Sequence, residues 1–113
     1  MVGKQSGWEL IGNACDGVEA VRLAEQLQPD LILLDIGLPK LNGLEAARRI
    51  RELAPDCKIV FVSENRSRDI AEEALNIGAG AYVVKSDAGK DLLPAINAVL
   101  EGKRFVSTGL TGL

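Results

Sequence analysis

The run Leu31-Ile32-Leu33-Leu34 restricts the fold of this chain more than any other stretch. Aliphatic residues in succession, with no polar alternation, fit a strand buried on both faces of a helix-covered parallel sheet. A carboxylate, Asp35, follows at once. In open α/β sheets the carboxyl ends of the strands are where ligands bind. Asp35 therefore stands at an edge where chemistry is expected.

Strand and helix signals alternate along the chain. Residues 8–14 read as a strand. Asp16, with Glu19 three residues on, marks a helix start, and Val18, Val21, Ala24 and Leu27 recur at helical spacing up to Pro29. Residues 30–34 are the next strand. Asn42-Gly43 opens a helix with an apolar stripe of Leu44, Ala47, Ile50 and Leu53, closed by Pro55. Residues 58–62 are a third strand. Residues 67–77 are helical, with Gly78 as C-terminal cap. A fourth strand covers 81–84. The last helix covers 87–101, and Pro94 inside it implies a late start or a kink. The expected fold is α/β, a doubly wound parallel sheet with right-handed crossovers.

Bulk composition narrows the function classes. A chain of 113 residues is one domain by size. A net charge of −3 gives no support for direct nucleic-acid binding by a basic face. No apolar run approaches the ~20 residues of a membrane span. Residues 1–7 lack a signal pattern, so a cytoplasmic location is expected. The two cysteines, Cys15 and Cys57, stand without any histidine. That excludes a zinc site of Cys and His ligands and any Ser-His-Asp or Cys-His nucleophile. Both thiols read as reduced and semi-buried.

Asp35, Ser63 and Lys85 each follow a strand of aliphatic residues. In a parallel sheet they lie on one edge, on neighbouring strands, and can converge on one pocket. A carboxylate can act as nucleophile toward a phosphoryl group. A Lys ammonium supplies a point charge, and a Ser hydroxyl supplies one hydrogen bond. Gly37 frees a backbone carbonyl where a hard cation could bind, and Pro39 stiffens that loop. Glu64, beside Ser63, reads as a solvated loop acid.

These residues resemble the receiver domain of bacterial two-component response regulators, which are CheY-like. Residues 29–39 followed by Asn42-Gly43 look like the family's phosphoacceptor segment, and residues 78–85 like its last-strand segment. Lys85-Ser86, in place of Lys-Pro, is closest to the subgroup with helix-turn-helix output domains. The resemblance implies a flavodoxin-like fold. Residues 1–105 would form the receiver domain and 106–113 a flexible tail. It implies that a sensor histidine kinase phosphorylates Asp35, that Lys85 pairs with the phosphoryl group, and that Ser63 moves to bond it. Tyr82 would follow from an exposed to a buried position and switch a partner-binding face. The chain would not be a turnover enzyme.

The family begins with a strand ending in two acids that hold Mg²⁺. Residues 1–7 contain neither, so the expected metal ligands reduce to Asp35 and the Gly37 carbonyl. The implied chain lacks the family's first strand and most of its first helix. A fragment of a longer protein, with a homodimer by strand exchange as a consequence, is the expectation. Two alternatives are weighed. One is a pseudo-receiver that binds partners or dimerises without phosphorylation. The other is a haloacid-dehalogenase-type phosphohydrolase, which needs a second Asp where Gly37 stands.

Overall fold

The computed structural model describes residues 16–37 and 40–107. The strand expected at 8–14 and the loop residue Pro39 lie outside them. The elements are α1 (Gly17–Leu27), β1 (Leu31–Leu34), α2 (Gly43–Leu53), β2 (Lys58–Ser63), α3 (Arg68–Ile77), β3 (Ala81–Val84), α4 (Ala88–Leu100) and β4 (Phe105–Val106). A single 3-10 turn, Lys85–Asp87, links β3 to α4. The strands form one sheet in the order β1-β2-β3-β4, and every pairing is parallel. This confirms the doubly wound α/β, flavodoxin-like architecture. Among the described residues β1 has a strand neighbour on one side only.

Burial explains the apolar runs of β2 and β3, whereas in β1 only Leu34 is buried and Leu31, Ile32 and Leu33 are half-buried, a correction to the strand expected to be buried on both faces. All of β3 and the centre of β2 are buried. One face of the sheet packs Leu34, Ile59, Phe61, Tyr82 and Val84 against small residues of α1, α2 and α3. The other packs Val60, Ala81 and Val83 against Ala95 and Val99 of α4. The Phe61 and Tyr82 rings lie 6.4 Å apart in a tilted arrangement.

Helix starts follow the caps. Asp16 and Asn42 accept the Glu19 and Glu45 amides at 2.8 and 3.0 Å, and Ser67 accepts that of Ile70 at 3.3 Å. Helix α3 ends on Gly78 at φ 118°, with Ala79 N–H donating back to the Ala74 carbonyl. Helix α4 runs unbroken through Pro94, which is exposed.

Two expectations need correction. On α1 the buried face is Gly17, Ala20 and Ala24, while Val18 and Leu27 are 52% and 43% exposed. The helix packs so closely that a Cβ on Gly17 would lie 1.7 Å from the Leu41 carbonyl oxygen. Small side chains therefore form the contact and larger ones turn outward. Leu53 of α2 is exposed in the same way, and Ala46 is buried in addition.

Residues 106 and 107, expected to lie in a flexible tail, are held in the fold, and residues 108–113 lie outside the described residues. Val106 belongs to β4, and Ser107 is fully buried. Ser107 N–H donates to the Tyr82 carbonyl at 3.0 Å, and its Oγ accepts from Val84 N–H at 2.9 Å. That amide has no β4 residue opposite it, so the hydroxyl completes the ladder. Ser107→Ala is expected to destabilise the fold by about 1–3 kcal/mol, the cost of an orphaned buried donor. Urea unfolding at fixed pH measures it.

Candidate functional site

The parallel register sets the carboxyl ends of β1, β2 and β3 side by side. Leu34 pairs with Phe61, and Ser63 with Val84, so Asp35, Ser63 and Lys85 stand together at that edge. Asp35 is the first residue past β1. Its Oδ1 accepts from Gly37 N–H at 3.0 Å, and Lys85 Nζ donates to its Oδ2 at 2.6 Å. Gly43 N–H donates to the Ile36 carbonyl at 2.9 Å, fastening the loop to the start of α2. The reason Gly stands there is steric. A Cβ at position 43 would meet the Asp35 carbonyl oxygen at 2.2 Å.

Ser63 is buried at the top of β2, and its Oγ accepts from Asn65 N–H at 3.1 Å. Tyr82 is fully buried, its ring inward from β3, and its hydroxyl donates to the Asn65 carbonyl at 2.7 Å. Asn65 Oδ1 in turn accepts from Ser67 N–H at 2.7 Å, at the start of α3. The β2–α3 loop is thus tied to both Ser63 and Tyr82. Glu64 is exposed, and its charge acts on Lys85.

The charges respond to this packing. Burial pushes the Asp35 carboxyl up, but its bonds to Lys85 and to the Gly37 amide outweigh that and hold it below 3.8. The Asp35 bond and charge raise the Lys85 ammonium above 10.5. Burial raises the Tyr82 hydroxyl, the nearby Ser63 hydroxyl opposes this, and the Asp35 charge adds to it. Burial pushes the Cys57 thiol up to about 11, so it carries no thiolate chemistry near neutral pH.

The sign for stability follows for each partner of the pair. The depressed Asp35 value means that its contribution is present above about 3.8 and is lost as pH falls through the lower folded value. The raised Lys85 value means that its contribution is present below 10.5 and is lost as pH rises through the higher folded value. Lys85→Met is expected to move the Asp35 midpoint upward, read by carboxyl carbon NMR titration. An unmoved midpoint would show that the pair does not form in solution.

A divalent cation at this edge needs several oxygen ligands. Among the described residues no three carboxylate, Cys or His side chains come together. Asp35 supplies one carboxylate, already engaged by Lys85, and the sequence before Asp16 holds a single acid, Glu9. Among the described residues, a paired-acid magnesium site is therefore not built.

Of the sequence-proposed residues, the structure bonds Asp35 to Lys85 and Gly37, and joins Ser63 to Tyr82 through Asn65. The sequence reading did not include Arg66, which donates to Ser86 Oγ at 2.8 Å beside Lys85. Its signal was present: Arg66 and Ser86 each lie within three residues of a strand end already singled out.

Known proteins resemble this chain in sequence and in fold. The family model described as response regulator receiver domain matches residues 2–97. The transcriptional regulatory protein PdtaR of Mycobacterium tuberculosis is 40% identical over 111 residues, covering 96% of this chain and 52% of that protein. The nitrate/nitrite response regulator protein NarL of Escherichia coli is 37% identical over 102 residues, covering 90% and 47%. The chain spans about half the length of these curated relatives. A LuxR-family two-component response regulator from Aurantimonas sp. SI85-9A1 superposes with a TM-score of 0.89 at 33% identity, covering 95% of this chain and 76% of that one. With the family model matching most of its length and a relative 40% identical over 96% of it, the chain belongs to the response regulator receiver domains.

Proposed function

We propose that this chain receives a phosphoryl group on Asp35 from a sensor histidine kinase and passes the signal through the α3–β3–α4 side of the fold. The observation that carries this is the 2.6 Å bond between Lys85 Nζ and Asp35 Oδ2 at the carboxyl edge of the sheet. It holds a cation where a transferred phosphoryl group would gain negative charge.

The transfer balances simply. A lone pair of an Asp35 carboxylate oxygen forms the new P–O bond. The bond from phosphorus to the donor's histidine nitrogen breaks, and its electron pair stays on that nitrogen. Lys85 then pairs with the phosphoryl oxygens. Ser63 accepts from Asn65, and its O–H, which bonds the Tyr82 hydroxyl while Asp35 is a free carboxylate, would turn to donate to the new group. Tyr82 shares the Asn65 anchor, and a shift of that loop therefore reaches β3 and the start of α3. A local charge change biases a packed element in this way.

A second reading, a receiver fold that binds partners without phosphorylation, is favoured by the lack of a carboxylate cluster around Asp35 among the described residues. Incubation of the wild type and Asp35→Asn with acetyl phosphate and Mg²⁺, read by intact mass, separates the two. One added phosphoryl group on the wild type alone supports the first. No addition to either supports the second.

A further inference from the structure

Arg66 sits in the loop after β2, and Ser86 follows Lys85 in the turn after β3. The Arg66 Nη2 to Ser86 Oγ bond of 2.8 Å spans the two loops that flank Ser63 and Lys85. Both residues are exposed. Arg66 has no carboxylate partner among the described residues. Its loop is nevertheless fixed, through Asn65, to Ser63 at 3.1 Å and to Tyr82 at 2.7 Å. An arginine without an acid, held by a neutral hydroxyl at the edge of an anion-accepting pocket, is a cation in reserve.

The charge balance gives it a use. An aspartyl phosphate carries about two negative charges. Lys85 supplies one positive charge. One negative charge is left for another cation at this edge. A guanidinium presents a planar fork of donors that matches phosphoryl oxygens two at a time.

We propose that Arg66 is the second cation of the phosphoryl site. Ser86 holds it when Asp35 is a free carboxylate, and it turns to the phosphoryl oxygens as the Asp35 oxygen–phosphorus bond forms. This rests on the reading of Asp35 as acceptor.

The test uses the full chain with acetyl phosphate, over a range of Mg²⁺ concentrations and at low and high salt, with Asp35 modification followed by intact mass. Arg66→Gln is expected to slow modification about tenfold at low salt, and the gap should narrow as salt screens the exposed charge. Arg66→Lys should recover part of the rate, because it keeps the charge and loses the fork. Ser86→Ala should modify at least as fast as the wild type, since it only releases the arginine. Equal rates for the wild type and Arg66→Gln at every salt concentration would overturn the proposal while leaving Asp35 as acceptor. A wild type that takes up no phosphoryl group would overturn both. Thermal melting of each variant checks that the fold is kept.

Discussion

Asp35→Asn is expected to abolish phosphoryl uptake while leaving the fold intact. The amide has no nucleophilic carboxylate oxygen to offer phosphorus. Its side-chain oxygen can still accept the Gly37 amide, so the turn after β1 should keep its shape. What is lost is the ion pair with Lys85. That pair is partly exposed, with about a third of the Asp35 side chain and nearly half of the Lys85 side chain open to water. Pairs of that kind contribute about 0–1 kcal/mol. A collapse of stability in Asp35→Asn would mean that the carboxylate is a structural group first.

Gly43→Ala is expected to damage fold and site together. In an ordinary exposed helix this change would stabilise by about 1 kcal/mol, because Ala is the better helix former. Here the added Cβ would lie 2.2 Å from the Asp35 carbonyl oxygen and 2.8 Å from the Ile36 Cα. Those atoms are backbone, so no side chain can swing aside. Overpacking of this kind costs about 1–3 kcal/mol, and relief requires the turn to move away from α2. That movement would stretch the Gly43 N–H to Ile36 carbonyl bond and carry Asp35 off Lys85. Reduced urea stability together with slower acetyl phosphate modification is the expected pair of results. Unchanged stability would show that the helix start is looser than this packing implies.

The sequence was informative where one residue type has one physical use. The all-aliphatic runs identified the strands, although only β3 and the centre of β2 are buried on both faces and Leu31, Ile32 and Leu33 of β1 are half-buried, and Asp16, Asn42 and Ser67 marked helix starts that the structure confirms. The carboxyl-edge trio followed from strand ends alone, because a parallel sheet aligns them. Features set by close packing were harder to read. Periodicity cannot tell that α1 turns Ala20 and Ala24 inward and Val18 outward, since that depends on how near α2 lies. The two-residue β4 was too short to carry a pattern, and a polar Ser107 gave no sign of completing a buried ladder. Arg66 carries no sequence signature of its own, and its bond to Ser86 is what ties it to the turn after Lys85.

Reductive trapping tests the central claim most directly. Borohydride converts an aspartyl phosphate to homoserine, and peptide mass mapping then locates it. After acetyl phosphate treatment, homoserine is expected in place of Asp35 and at no other acidic position. Homoserine at another carboxylate, or at none while the protein remains folded, would contradict the assignment of Asp35 as the acceptor.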